Sequence, residues 1–165
     1  MRYVVVAMMM ALTCLGISMA MAAGFDERDS LKGFPGVRVV IDNIGSDAQA
    51  DGLSQEAIRT AVELILRSSG IQILTRPETS PDPYLYVRIG TFKNSSGLYA
   101  WDVTVTFRQL VSLVDRPHQT MYATTWQTVG SVVGTSGRDN ISQVINFVEQ
   151  DVKEFANDFL AVNPR

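Results

Sequence analysis

The chain has 165 residues, a formal net charge of −3, one cysteine and one histidine, with 46% hydrophobic and 19% charged residues. That length suits one domain with a core of its own, and a single cysteine excludes an internal disulfide framework. The slightly acidic balance and the lack of any basic run argue against electrostatic capture of nucleic acid.

Residues 1–22, MRYVVVAMMMALTCLGISMAMA, read as a cleaved signal peptide. Arg2 precedes an apolar run from Tyr3 to Ile17, and Ala20-Met21-Ala22 supplies the small-x-small pattern for cleavage after Ala22. Thr13, Gly16 and Ser18 interrupt the run, whereas a membrane anchor needs about 20 continuous apolar residues. Lipidation at Cys14 is disfavoured because Thr13, rather than a small apolar residue, stands before it. The mature chain then lacks cysteine, and thiolate chemistry with it. An exported domain without disulfides fits a bacterial periplasm or a bacterial secreted protein. No transmembrane segment is expected after cleavage.

Residues 23–36, AGFDERDSLKGFPG, are charged and glycine-containing and read as a flexible lead-in to a single domain over 37–165. VRVVIDNI, residues 37–44, predicts an interior strand with Val37, Val39 and Ile41 on one side. GSDAQADG, residues 45–52, has loop composition. Ser54 caps a predicted helix, Leu53 can staple onto Ile58, and Gly70 stops it. Its apolar stripe is Ile58, Ala61, Val62, Ile65 and Leu66, opposite Glu56, Arg59, Glu63 and Arg67.

A short strand at 71–76 follows, and three prolines over 76–83 forbid regular structure there. Three strands are predicted next, at 84–92, 98–114 and 119–133, joined by hairpin-length links at Lys93 to Gly97 and Asp115 to His118. The middle strand alternates most clearly. Tyr99, Trp101, Val103, Val105, Phe107, Val111 and Leu113 form the core side, and Asp102, Thr104, Thr106, Arg108 and Ser112 the wet side. After a loop at 134–140, Asp139 or Asn140 caps a final helix with the stripe Ile141, Val144, Ile145, Val148, Val152, Phe155 and Phe159. The expected fold is α+β, a two-layer sandwich in the order β-α-β-β-β-β-α. Two helices cover one face of a mixed or mainly antiparallel sheet of about five strands, and the other face stays partly open.

The early strand, the segment GLSQEAIRTAVELILRSSGIQIL and the following LTR at 74–76 resemble small α/β domains of bacterial envelope accessory proteins, of the TolB amino-terminal type. The likeness covers mainly residues 37–92. It implies a non-enzymatic binding part of a transport, assembly or regulatory complex. The long meander departs from that pattern, as does the lack of a lipid-anchor signal.

No motif brings an acid, a base and a nucleophile together. His118 is expected in a surface turn, no Gly-x-Ser-x-Gly elbow occurs, and GSVVGTSG at 130–137 lacks the Lys-Ser/Thr ending of a phosphate loop. Asp42, Asp47 and Asp51 do not follow calcium-loop spacing, so neither a metal nor another cofactor is expected. The candidate binding surface is the open sheet face, with Tyr86, Arg88, Thr104, Thr106, Arg108 and Trp126. Tyrosine, tryptophan and arginine concentrate interface energy, although threonine and aromatics also simply favour strands. The expected role is a non-catalytic cell-envelope module that binds an envelope protein or another copy of itself. Alternatives are a small-molecule or lipid carrier, suggested by the apolar face of residues 99–113, and a carboxylate-dependent hydrolase.

Overall fold

The computed structural model describes residues 26–75, 81–135 and 140–164. The expected signal peptide, its cleavage point, most of the proline-rich loop and Asp139 lie outside the described residues.

A 3₁₀ turn at Glu27–Leu31 leads into β1 (Gly36–Ile41), α1 (Ser46–Ala50), α2 (Gln55–Ser68) and β2 (Gln72–Ile73). β3 (Tyr84–Lys93), β4 (Tyr99–Leu113), β5 (Arg116–Gln127), β6 (Ser131–Thr135) and α3 (Asn140–Val162) complete it. The sheet runs β2-β1-β3-β4-β5, with β6 also paired to β4. β1 is parallel to β2 and β3, and every pairing of β4 is antiparallel, so the sheet is mixed. The α+β expectation holds, with two long helices on one face.

Local chemistry explains the boundaries. The Ser54 hydroxyl accepts a hydrogen bond from the Ala57 amide at 3.1 Å, which caps α2, and Gly70 takes a φ of 74° just past its end. Asn94 Oδ1 accepts from the amides of Ser96 and Leu98, closing the β3–β4 turn. In β4 the expected alternation is realised from Tyr99 to Phe107, with Tyr99, Trp101, Val103, Val105 and Phe107 buried beneath the helices, whereas Val111 and Leu113, expected on the core side, are half-buried and outside the core. From β1 come Val37, Val39 and Ile41, and from β3 Leu85, Val87 and Ile89. Ile58, Val62, Ile65 and Leu66 of α2 and Val144, Val148, Val152, Phe155 and Phe159 of α3 close this core.

Several boundaries differ from the sequence reading. The segment 45–52 contains the helical turn α1, whose Ala48 is buried. The second strand shrinks to Gln72–Ile73. Only Val114 and Asp115 separate β4 from β5, so His118 is an exposed strand residue rather than part of the turn. The expected strand at 119–133 is two strands on one edge of β4: β5 takes Thr106–Leu113 and β6 takes Tyr99–Val103. At the break, the Val105 amide donates to the Thr128 hydroxyl instead of a strand carbonyl. The core also reaches into the charged segment ahead of Val37. Leu31 is fully buried, and Asn163 ties the 3₁₀ turn to the end of α3 by donating from Nδ2 to the Leu31 carbonyl at 2.8 Å.

Candidate functional site

Strand pleating sends alternate side chains to opposite faces, so the face away from the helices is set by register. Across it, Arg38 of β1 lies opposite Tyr84 of β3, and Tyr84 opposite Arg108 of β4. In the next row Val40, Tyr86 and Thr106 are opposite one another, and beyond them Arg88 faces Thr104. The sheet therefore brings five of the six expected residues together: Tyr86, Arg88, Thr104, Thr106 and Arg108.

Trp126 is a correction. It pairs with Phe107 and is only 2% exposed, on the helix side, where its ring meets Phe155 at 5.1 Å. Its indole N–H donates to Asp158 Oδ2 at 2.9 Å, which satisfies the one polar atom of the ring. The cause is a bulge between Phe107 and Arg108: Arg108 pairs with Thr124 while Phe107 pairs with Trp126, leaving Thr125 extra. One inserted residue reverses the in/out phase of a strand. In place of Trp126, Tyr122 of β5 joins the open face.

That face is a tyrosine–arginine array. The Arg108 guanidinium lies 4.2 Å from the Tyr86 ring centroid and the Arg38 guanidinium 4.9 Å from that of Tyr84. Tyr84 meets Tyr122 edge to face at 5.5 Å. Burial, reinforced by the nearby Asp42 carboxylate, pushes the Tyr86 phenol above its ordinary range. Arg88 approaches Asp102 at 3.6 Å. Gly90 makes room for that carboxylate, since a Cβ there would fall 1.7 Å from Asp102 Oδ1. Both partners are well exposed, so the pair orients Arg88 more than it stabilises the fold.

Arg38 is the residue that strand patterning did not single out. It is 8% exposed, and its Nε has no hydrogen-bond partner; the Oγ1 of Thr106, 7% exposed, is likewise unpartnered. These two buried orphans share the open face. Together with Val40, Tyr84, Tyr86 and Tyr122, Arg38 lines an open cleft of about 220 Å³. The alternation that places Val37 and Val39 in the core sends Arg38 to the other side, but only strand pairing puts it beside Tyr84.

At the turn end of the β3–β4 hairpin, Asp51 accepts from Lys93 Nζ at 2.8 Å and from the Tyr99 hydroxyl. Lys93 first, then Tyr99, holds the Asp51 carboxyl below its usual range. The clamp fastens the α1–α2 connection to β3 and β4. A lowered folded pKa means that its stabilisation is present above the unfolded value of 3.8 and is lost as pH falls through the folded value. Asp51→Asn is expected to flatten the acid limb of stability against pH, read from urea midpoints at a series of pH values. An unchanged acid limb would show that the clamp is not coupled to folding.

Among the described residues no group of three His, Cys, Asp or Glu side chains is placed to hold a metal ion, and no helix is long and apolar enough to cross a membrane. No protein-family model and no curated protein matches the chain. A search of solved structures returns a minor lipoprotein from Acinetobacter baumannii, known from a 2.35 Å crystal structure. The match is 9% identical, covers 79% of this chain and 94% of that one, and has a TM-score of 0.31. At that overlap the likeness carries no argument about what this chain does.

Proposed function

We propose that this chain is a non-catalytic binding module of the bacterial cell envelope that engages a protein, an envelope partner or a second copy of itself, through its open sheet face. The observation that carries the reading is the array of Arg38, Arg88, Arg108, Tyr84, Tyr86 and Tyr122 on the face that the chain's own helices leave uncovered. Arginine and tyrosine combine large contact area with directed hydrogen bonding, which makes them frequent anchors of interfaces. The signal-like residues 1–22 support export.

Site-specific photocrosslinking tests this. A crosslinking residue in place of Thr104, on the open face, is expected to give a discrete adduct in envelope-expressing cells, or a dimer with purified protein. The same residue in place of Leu64, exposed on the outer side of α2, should give neither. A monomer without adducts from Thr104, or equal adducts from both positions, overturns the reading.

A further inference from the structure

We infer that the cleft between Arg38 and the tyrosines is a carboxylate-binding subsite, which takes a carboxylate carried on a flat apolar body. This rests on the reading of the open face as a binding surface and specifies the chemistry that it recognises.

Arg38 is the starting point. A guanidinium withdrawn from water loses hydration that must be replaced, because an unmade hydrogen bond from a charged group is expensive. Here it is not replaced from within: Nε is buried without a partner, and no described carboxylate forms an ion pair with Arg38. Glu63 lines a second cleft beside Arg38, but that carboxylate is engaged by Arg67 at 2.6 Å. The Arg38 guanidinium lies 4.9 Å from the Tyr84 ring centroid. A cation–π contact supplies no hydrogen-bond acceptor, so it does not satisfy the guanidinium N–H groups, whose fork matches a carboxylate.

The surroundings select among anions. Among the described residues, Arg38 is the only charged one lining this cleft. The Arg108 guanidinium packs on the Tyr86 ring at 4.2 Å and is not among the residues that line the cleft. One guanidinium matches a monoanion better than a phosphate dianion, which gathers several cations. The other walls, Val40, Tyr84, Tyr86 and Tyr122, offer an aliphatic side chain and ring surfaces suited to a planar apolar group. The carboxylate can come from a free acid or from the chain terminus of a protein partner.

The test follows the Arg38 Nε–H and Tyr84 ring signals of the mature protein by NMR. The probes are sodium benzoate, benzamide, inorganic phosphate and the peptide N-acetyl-Gly-Phe with a free carboxylate. Saturable shifts at Arg38 and Tyr84 are expected with benzoate or the peptide and not with benzamide. Arg38→Gln and the charge-preserving Arg38→Lys should each weaken binding at least tenfold, and Lys153→Gln on the outside of α3 should not. Tighter binding of the peptide assigns the carboxylate to a polypeptide terminus, and tighter binding of benzoate to a free acid; either supports the subsite. Equal shifts with benzamide, phosphate binding as tight as benzoate, or full binding by folded Arg38→Lys overturns it. Specific crosslinking from Thr104 with no response to any carboxylate would overturn this subsite and leave the binding-module reading standing.

Discussion

Phe155→Ala is expected to destabilise the domain by about 3–5 kcal/mol, the range for removing a fully buried aromatic side chain. Phe155 is 0% exposed, and its ring lies within 5.8 Å, centroid to centroid, of Phe107, Trp126 and Phe159. It is thus the point where α3 meets both β4 and β5. Three aromatic neighbours from separate elements cannot all move inward to fill the space, so a cavity term adds to the lost burial. A domain of this size is stable by only about 5–15 kcal/mol, so the variant should unfold at a much lower urea concentration with a similar slope. Leu64→Ala, at an exposed position of α2, is the contrast and should change little. A loss below 1 kcal/mol for Phe155→Ala would mean that α3 is not docked as described.

Thr128→Val is the second large effect, and it acts through polar groups. The Thr128 hydroxyl accepts from the Val105 amide at 3.1 Å and donates to Asp151 Oδ2 at 3.0 Å, in the gap between β5 and β6. All three residues are buried. Valine keeps the shape and leaves a buried amide and a buried carboxylate without partners, at roughly 1–3 kcal/mol each, so a loss of roughly 2–5 kcal/mol is expected.

The same site sets a pH dependence. Burial pushes the Asp151 carboxyl above its ordinary value of 3.8, and the Thr128 hydrogen bond opposes that rise. A raised folded pKa means that the unfolded chain ionises first. Stability from this group therefore falls as pH rises from 3.8 through the folded value and is level above it. Thr128→Val removes the opposing hydrogen bond and extends that falling window upward, so its deficit should be larger at neutral pH than in acid. Asp151→Asn should remove this group's contribution to the slope. Urea midpoints across the pH range check both variants, and a deficit for Thr128→Val that is independent of pH would sever the two residues.

These two sites differ in how far the sequence exposed them. The stripe of α3 is a repeat at three- and four-residue steps, and Phe155 stands in it as a core residue on periodicity alone. Asp151 sits on the same buried face, but a carboxylate there reads as solvated until a partner is known. That partner, Thr128, is 23 residues away, in a break that divides what reads as one continuous strand.

The open sheet face shows the same division. Alternation along β3 and β4 was enough to place Tyr86, Arg88, Thr104, Thr106 and Arg108 on one side, because a side chain's face depends only on its parity within an unbroken strand. Parity fails at a bulge, and the extra Thr125 carried Trp126 into the core and left Tyr122 on the open side. Arg38 was beyond reach for another reason. What sets it apart is its neighbours on other strands and an Nε that no described residue accepts from, and neither is a property of local order. The sequence by itself determined the α+β class, the two amphipathic helices, the Ser54 cap of α2 and the apolar stripes that the helices and central strands bring to the core, since each follows from spacing within a few residues. The tertiary structure alone decided strand order, the phase of β5, the partner of Asp151 and the setting of Arg38 against Tyr84, because these depend on which distant segments the packing of one shared core brings side by side.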